Sequence, residues 1–409
     1  MSSFKRLANG SVTTPRGFRA AGVTAGFKRS GAPDFAMLVS DVPANFAGAF
    51  TSCTFAAAPV QVCRKRVLFC DTIRAAVINS GNANACTGDT GISNAEATCV
   101  LAANKLGINS NEVVVSSPGR IGTQLPMDTV KKGIELAVAS LSEEGGELAA
   151  QAIMTTDTVP KSIAVELELD GVVCSIGAMT KGAGMIDPSL KVPHATMLCY
   201  ITTDVKISNA LLSDMIEENV AQSFNRITID GDMSTNDMVI VMANGAAGNA
   251  PITEENEDYA IVKEALDKLC KELAKEIADD GEGATKFLTV HVTGTKTFAD
   301  AKTIGMSVAK SPLVKTAFFG ADPNWGRVIC AVGYAGVPMD PEDVVVKFGD
   351  VPVYAHGVGA EHDAEALAKV MEQHDITISI DMGQGEEEAT VWTCDFSYEY
   401  VKINGEYHT

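Results

Sequence analysis

Residues 161–204 carry the strongest local structural pattern in this chain, and they read KSIAVELELDGVVCSIGAMTKGAGMIDPSLKVPHATMLCYITTD. Over 161–179, apolar and polar residues alternate on both sides of Asp170-Gly171, a dipeptide that is favoured in two-residue turns. The pattern therefore predicts a β-hairpin. The predicted hairpin is followed by a glycine turn at 182–184 and by a further strand-like segment, MLCYIT, at 197–202.

Outside this stretch, strand-like and helical segments follow one another without a strict order. A helix is predicted from Ser93, whose hydroxyl can cap the first turn, to Gly107 at its C-terminal end. The segment from residue 330 onward is predicted to form short strands, the last of them YVKIN at 400–404. Further helices are predicted over 208–224, over 253–280, and as two helices between 127 and 154.

The irregular order of elements predicts an α/β fold of the α+β layered kind, with mixed sheets packed with helices. A length of 409 residues would admit two or three packing units at about 150 residues each. However, no Ser/Pro-rich linker and no shift in composition marks a boundary between domains.

Charge and composition exclude several classes of partner. The formal net charge is −20, which disfavours binding to nucleic acid or to anionic membrane surfaces. No run approaches the roughly 18 apolar residues of a membrane span, and the N-terminus lacks a secretory signal. Ten cysteines with no CxxC motif and only six histidines argue against a metal site and favour a reducing cytoplasm. Small molecules are the expected partners.

The sequence also offers polar loops that could carry chemistry. Asp230, Asp232 and Asp237 lie close together in NRITIDGDMSTND and could ligate Mg²⁺ or Ca²⁺, or could instead hydrogen-bond the backbone of a turn. Lys181 heads the glycine turn and could meet a substrate carboxylate. Neither GxxxxGK[ST] nor GxGxxG occurs in the glycine-rich loops, which disfavours ATP and NAD.

Longer strings resemble one known family over essentially the whole chain. KGAGMIDPSLKVPHATMLCYITTD, SFNRITIDGDMSTNDMVIVMANGAAGN and GEGATKF are similar to the ornithine acetyltransferases, also called glutamate N-acetyltransferases. TPRGFRAAGV, INSGNANACTG, IMTTDT, DPNWGRV and the terminal VWTCDFSYEYVKINGEYHT extend the resemblance in the same order. The resemblance implies the fold of that family, formed jointly by two fragments of one self-cleaved precursor.

The resemblance implies a cut between Ala195 and Thr196, which makes Thr196 a new N-terminal residue and the nucleophile. A hydroxyl is a poor nucleophile at neutral pH, but the free α-amine of an N-terminal threonine, with a pKa near ~8, can act as its base. The implied fragments are 1–195, with the oxyanion loop and part of the substrate site, and 196–409, with the nucleophile and the rest of it. Acetyl would pass from N2-acetyl-L-ornithine to Thr196 and then to L-glutamate.

The resemblance also implies the substrate-binding residues, which are Thr155, Lys181, Thr196, Glu282, Asn404 and Thr409. Lysine can meet a carboxylate and glutamate an ammonium, as a substrate with both charges requires. No cofactor or metal is implied, although acetyl-CoA is an additional acetyl donor to consider. The implied assembly is a heterotetramer of two α and two β fragments.

Two departures from the family bear on this interpretation. The oxyanion hole of the family uses a Thr-Gly pair, whereas this chain has Pro118-Gly119, and proline has neither a hydroxyl nor an N–H. Only the backbone of Gly119 could donate there, unless Ser117 or a water substitutes. In addition, the segment between Lys181 and Thr196 is longer than in the family, with Lys191–His194 as the extra residues.

Two alternatives remain open at this point. One is an N-terminal-nucleophile amidohydrolase or aminopeptidase on the same scaffold, which the altered oxyanion loop would allow. The other is an unprocessed relative that binds a metabolite without catalysis. Transfer of acetyl to glutamate rather than to water separates the first alternative from the transferase, and an uncut chain would indicate the second.

Overall fold

The computed structural model describes residues 4–187, 189–191 and 197–406. The strands of this part of the chain are β1 (Phe4–Leu7), β2 (Phe18–Val23), β3 (Phe35–Thr51), β4 (Ile73–Asn79), β5 (Gly81–Asn82), β6 (Val113–Ser116), β7 (Gly119–Arg120), β8 (Lys161–Leu169), β9 (Val172–Lys181), β10 (Leu190–Lys191), β11 (Leu198–Thr203), β12 (Met238–Ala243), β13 (Phe287–Thr295), β14 (Val345–Phe348), β15 (Val351–Ala355), β16 (Val358–Gly359), β17 (Asp375–Asp381) and β18 (Glu387–Cys394).

The helices are α1 (Ala58–Phe69), α2 (Gly88–Leu106), α3 (Met127–Ala139), α4 (Gly146–Ile153), α5 (Asn209–Gln222), α6 (Glu257–Asp279), α7 (Phe298–Lys310), α8 (Pro312–Phe319), α9 (Trp325–Gly333), α10 (Ala364–Glu372) and α11 (Tyr398–Glu406). Within the described residues, none of these helices is long and apolar enough to cross a membrane.

The hairpin predicted from the sequence is confirmed. β8 and β9 pair antiparallel, with Leu169 opposite Val172 across the turn. Asp170 and Gly171 have φ values of 46° and 78°, so both turn residues adopt the left-handed conformation that a tight hairpin turn requires. The two strands thus carry the chain to Lys181 at the end of β9.

Strands from both sides of residue 195 form one large sheet. Its order is β1-β8-β9-β11-β12-β3-β4-β6, and β2 and β10 also pair with β3. β11 is antiparallel to β9 and parallel to β12, and β12 is antiparallel to β3. Two strands that follow residue 196 therefore lie between strands that precede it.

Helices cover both faces of this sheet. On β11, Leu198 and Tyr200 pack into one apolar cluster together with α1, α2, α3 and α4. Cys199 and Ile201 pack into a second cluster together with α5 and α6. Because successive side chains of a strand point to opposite faces, one strand joins both clusters. The fold is a helix–sheet–helix arrangement, which confirms the layered α/β prediction.

A second sheet of order β16-β15-β14-β17-β13-β18 has an apolar core of its own with α7, α8, α9 and α10. β18 connects it to the first unit, because Trp392 and Cys394 of β18 pack into the cluster of α5 and α6. The chain then enters α11, where Tyr400 donates to Asp230 at 3.3 Å.

Two predicted elements are wrong in detail. α2 begins at Gly88 and not at Ser93, because the turn after Thr87 already starts the helix and Asp89 occupies its first turn. Its predicted end at Gly107 is confirmed, with φ 70° at that glycine. The segment YVKIN is not a strand but part of α11, which begins after Ser397, whose hydroxyl accepts the N–H of Glu399 at 3.1 Å.

Candidate active site

A cavity of about 370 Å³ lies beyond the strand ends of the large sheet where β9 ends and where β11 and β12, which are parallel to each other and run opposite to β9, begin. Small-molecule sites commonly have volumes of about 300–1,000 Å³, so this cavity suits a metabolite. It is lined by Pro118, Gly119, Ile121, Thr155, Thr156, Lys181, Gly184, Met185, Ile186, Met197, Leu198, Ser234, Thr235, Asn236, Asp237, Glu282 and Asn404.

This single cavity brings together every described residue that the sequence placed in the site. Pro118, Gly119, Thr155, Lys181, Glu282 and Asn404 all line it. Ala195, Thr196 and Thr409 lie outside the described residues. Met197, which directly follows the predicted nucleophile in the sequence, is on the cavity wall.

The loop of Pro118 and Gly119, which the sequence predicts to form the oxyanion hole, is held against the backbone of β5. Gly81 donates its N–H to the carbonyl of Pro118 at 2.8 Å, and β5 and β7 pair in parallel with Gly81 opposite Gly119. Gly119 has φ 140°, and a Cβ built on it would approach the carbonyl carbon of Gly81 to 2.3 Å. Only glycine satisfies both the conformation and the close approach.

Ser117 does not replace the missing threonine. Its hydroxyl is buried and donates to Oδ1 of Asn79 at 2.7 Å, and Ser117 is not among the residues that line the cavity. The hydroxyl hydrogen of Ser117 is therefore committed to Asn79 and not to the cavity. Pro118 lines the cavity without an N–H, which leaves Gly119 as the backbone donor at this position.

Glu282 supplies negative charge to the cavity. Asn404, on α11, donates its Nδ2 hydrogen to Oε2 of Glu282 at 2.7 Å, and Glu282 donates its own N–H to the carbonyl of Ala183 at 2.8 Å. A Cβ on Gly184 would lie 2.4 Å from the Glu282 carboxylate, so the glycine turn admits this side chain. The position of α11, which the strand prediction missed, places Asn404 in the site.

Lys181 supplies the positive charge. It is 9% exposed, at the end of β9. Its ammonium helps to lower the pKa of Asp157, and it opposes the larger rise that burial causes in the pKa of Asp237. Together with Glu282, it gives the cavity one cation and one anion that could bind opposite ends of an amino-acid substrate.

A buried ionic cluster supports the loop that carries Thr155. Asp157 accepts the N–H of Thr155 at 3.0 Å, the N–H of Gly182 at 2.7 Å and an ammonium hydrogen of Lys161 at 2.8 Å. Lys161 also donates to Asp280 at 2.5 Å. Burial opposes ionisation of Asp157, but Lys181, Lys161 and the hydrogen bonds outweigh it and lower the pKa to about 2.

The loop before β12 contributes residues that sequence reasoning did not place in the site. Asn236 and Asp237 are buried on the cavity wall, and Oδ1 of Asn236 and Oδ2 of Asp237 have no hydrogen-bond partner among the described residues. Burial raises the pKa of Asp237 to about 8, against the opposing effects of the Ser234 hydroxyl and Lys181. The local sequence STND at 234–237 is typical of a turn, and nothing in it indicates that these residues line a cavity.

The metal hypothesis for this loop finds no support in the described part of the chain. No group of three or more His, Cys, Asp or Glu side chains that could hold a metal ion lies together there. Asp230 instead accepts the backbone N–H groups of Met185 at 2.6 Å and Ile186 at 2.9 Å, and that of Asp232 at 3.2 Å. Asp230 therefore hydrogen-bonds loop backbone, as the alternative to a metal site predicted. These bonds hold Met185 and Ile186, which follow the glycine turn and line the cavity.

Known proteins resemble this chain over nearly its whole length. A sequence model described as the ArgJ family matches residues 19–409. The chain is 48% identical over 402 residues to the arginine biosynthesis bifunctional protein ArgJ of Symbiobacterium thermophilum, which covers 98% of this chain and 99% of that protein. It is 43% identical over 424 residues to the protein of the same name from Thermosynechococcus vestitus, with 100% of both covered.

Among solved structures, the ornithine acetyltransferase complexed with ornithine from Mycobacterium tuberculosis is 42% identical, with a TM-score of 0.42 over 46% of this chain and 99% of that chain. The family model and the two full-length relatives decide the assignment, since each of them covers almost every residue. This chain belongs to the ArgJ family.

Proposed function

We propose that this chain is an acyltransferase of arginine biosynthesis that moves acetyl from N2-acetyl-L-ornithine to L-glutamate. The observation that carries the proposal is one cavity in which Lys181, Glu282 and Gly119 meet. The full-length relatives named as arginine biosynthesis bifunctional proteins support it, as does the relative named as an ornithine acetyltransferase.

The charges of the cavity suit both substrates. Lys181 would bind the α-carboxylate that N-acetylornithine and glutamate share. Glu282, held by Asn404, would bind the side-chain ammonium of ornithine, and Thr155 and Thr409 would supply polar contacts. These interactions would hold the acetyl carbonyl near the start of β11, where Met197 follows the nucleophile.

The reaction would proceed through an acetyl ester of Thr196. The α-amine of Thr196 takes the proton of its own hydroxyl, the oxygen attacks the acetyl carbonyl, and ornithine leaves with the proton. The N–H of Gly119 would stabilise the oxyanion, without a hydroxyl from Pro118. The amine of glutamate then takes the acetyl group and frees Thr196 for the next cycle.

This mechanism requires self-cleavage between Ala195 and Thr196 and hence two fragments, 1–195 and 196–409. Both fragments supply site residues, so we propose that they stay together, as two α and two β fragments in a heterotetramer. We further propose that the enzyme is cytoplasmic and needs no metal or cofactor. Acetyl-CoA would be an additional acetyl donor that acylates the same threonine.

Isotope-labelled acetyl transfer tests the proposal. The enzyme is given N2-acetyl-L-ornithine labelled in the acetyl group, with and without L-glutamate. We expect labelled N-acetylglutamate only when glutamate is present, and none with Thr196→Ala, which also should remain uncut. Label that appears only as free acetate would instead identify a hydrolase and overturn the transferase assignment.

A further inference from the structure

The C-terminal helix α11 reaches the cavity through Asn404, although none of the residues Tyr398–Glu406 is buried. Ser397 holds the first turn of the helix by donating its hydroxyl to the carbonyl of Gly283 at 2.5 Å. A short helix without a buried apolar face is otherwise held only by specific contacts, and those contacts should decide where Asn404 lies. The question rests on the proposed function, because Asn404 and Glu282 belong to the proposed ornithine site.

Tyr400, one helical turn before Asn404, links this helix to the cavity wall. Its hydroxyl donates to Oδ2 of Asp230 at 3.3 Å, and its ring stacks on Phe396 with ring centroids 4.5 Å apart. Burial and the charges of Asp230 and Glu282 raise the pKa of Tyr400, so the hydroxyl keeps its hydrogen and remains a donor at neutral pH. Tyr400 itself does not line the cavity, so any effect on the substrate must pass through other residues.

Asp230 connects Tyr400 to the segment that follows the glycine turn. The oxygen that accepts the Tyr400 hydroxyl also accepts the N–H of Met185 at 2.6 Å, and the other oxygen accepts the N–H of Ile186 at 2.9 Å. Met185 has φ 54°, a left-handed conformation that residues with a side chain rarely adopt, so this part of the wall needs such support. One carboxylate thus joins α11 to two residues that line the cavity.

Glu282 completes a network of hydrogen bonds between the same two elements. Its N–H donates to the carbonyl of Ala183 in the glycine turn at 2.8 Å, and its Oε2 accepts the Nδ2 hydrogen of Asn404 at 2.7 Å. Nδ2 of Asn404 also donates to the carbonyl of Tyr400 at 3.0 Å. The glycine turn and α11 therefore both hold Glu282, and the bond from Tyr400 to Asp230 ties these two elements to each other.

This network bears on the acetyl donor and not on the acceptor. In the proposed site, Glu282 binds the side-chain ammonium of N2-acetyl-L-ornithine, whereas the side chain of L-glutamate ends in a carboxylate. A substrate carboxylate gains nothing from a well-placed Glu282, because like charges repel. The placement of Glu282 by Asn404 should therefore favour only donors that carry a side-chain ammonium.

We propose that Tyr400 is a positioning residue that determines the selectivity for donors with a side-chain ammonium. Through Asp230, its hydroxyl holds the last turn of α11 in place relative to the glycine turn. Asn404 can then fix the carboxylate of Glu282 where the ammonium of the donor binds. The hydroxyl of Tyr400 is neither acid nor base in this role, so the acceptor half of the reaction does not depend on it.

Steady-state kinetics of the cut enzyme provide the test. In a reaction that passes through an acyl-enzyme, the kcat/KM of each substrate reports only its own half-reaction. A hydrogen bond to a charged group commonly contributes about tenfold or more to an equilibrium. We expect Tyr400→Phe to lower the kcat/KM of N2-acetyl-L-ornithine by about tenfold and that of L-glutamate by less than about twofold.

Two comparisons show whether the effect passes through the network. Tyr398→Phe is the matched control, because Tyr398 lies two residues earlier in the chain on the same helix and is 83% exposed, so this variant should behave like the parent. In an Asn404→Ala background, Tyr400→Phe should lower the kcat/KM of N2-acetyl-L-ornithine by less than about a further twofold, because residues that act through one another are not additive.

Each outcome decides between the possibilities. The proposal is overturned if Tyr400→Phe leaves the kcat/KM of N2-acetyl-L-ornithine unchanged, or if the values of both substrates fall by the same factor, since equal losses indicate a general structural role. A full additional loss in the Asn404→Ala background also overturns it, because the effect would then bypass Asn404. A parent enzyme that moves no acetyl to L-glutamate would instead overturn the proposed function.

Discussion

At the scale of single residues, Pro118 limits the donors that the cavity offers to an oxyanion. Removing one oxyanion donor commonly costs about 10²–10³ in rate, so adding one back should raise it. We expect Pro118→Thr to increase the kcat of acetyl transfer by about tenfold or more. Steady-state assays of both proteins check this, and an unchanged kcat would mean that another group already fills the role.

Gly119 is the residue of this loop that we expect to tolerate least change. Gly119→Ala would place a methyl group 2.3 Å from the carbonyl carbon of Gly81 in addition to its φ of 140°, so the β5–β7 contact must open. We expect loss of most acetyl transfer. Gly122→Ala is the control, since Gly122 has φ 82° but no atom within 4 Å of an added Cβ. Equal activities of the two variants would contradict this account.

Most residues of the candidate site were predicted from the sequence, but the burial of Asp237 on the cavity wall was not. Lys181, Glu282 and Asn404 were predicted by resemblance, and the structure brings them to one cavity. For Asp237, neighbouring polar residues suggested a turn or a metal ligand. Its burial on the cavity wall arises from the pairing of β11 with β12, two strands about forty residues apart, which local patterns do not encode.

At the scale of elements, the buried cluster of Asp157, Lys161 and Asp280 ties the start of β8 to the C-terminal end of α6. Lys161→Met would remove the ammonium that pairs with both buried carboxylates, and breaking a buried ion pair commonly costs about 3–5 kcal/mol. We expect a corresponding fall in the free energy of unfolding. Lys369→Met, which breaks the exposed pair with Glu365, should change it by less than about 1 kcal/mol. Equal losses would show that burial of the cluster is unimportant.

The same cluster should make the stability of the fold depend on pH in the acid range. The folded-state pKa of Asp157 is about 2, below the ordinary value of 3.8, so its contribution is complete above pH 3.8 and is lost as the pH falls toward 2. This difference between the two pKa values corresponds to about 2 kcal/mol in the free energy of unfolding. The acid-induced loss of stability should therefore be smaller in Asp157→Asn than in the parent.

Elements with a strong local sequence pattern were predicted correctly, whereas an element with a weak pattern was set by its tertiary contacts. The Asp170-Gly171 turn between alternating strands specified the hairpin, because both residues must adopt positive φ. YVKIN alternates like a strand but forms a helix, since Ser397 caps it and Phe396 stacks on Tyr400 with ring centroids 4.5 Å apart. Neither interaction is visible in a count of alternating residues.

At the scale of the whole molecule, the two predicted fragments share one sheet. β11 and β12 lie between β9 and β3, so separating 1–195 from 196–409 would break the pairings β9–β11 and β12–β3 and split both apolar clusters. We expect the fragments to co-elute after cleavage and to separate only in denaturant. Size-exclusion chromatography with gel analysis checks this, and dissociation in native buffer would contradict a jointly formed site.

In the proposed mechanism acetyl passes through Thr196, so an acetyl-Thr196 intermediate should be trapped when the acceptor is absent. The cut enzyme is incubated with acetyl-labelled N2-acetyl-L-ornithine without glutamate, quenched in acid and digested for mass spectrometry. We expect one acetyl group on the peptide that begins with Thr196, and we expect it to disappear when glutamate is added before the quench. Label on a different residue, or turnover to N-acetylglutamate with no labelled Thr196, would contradict it.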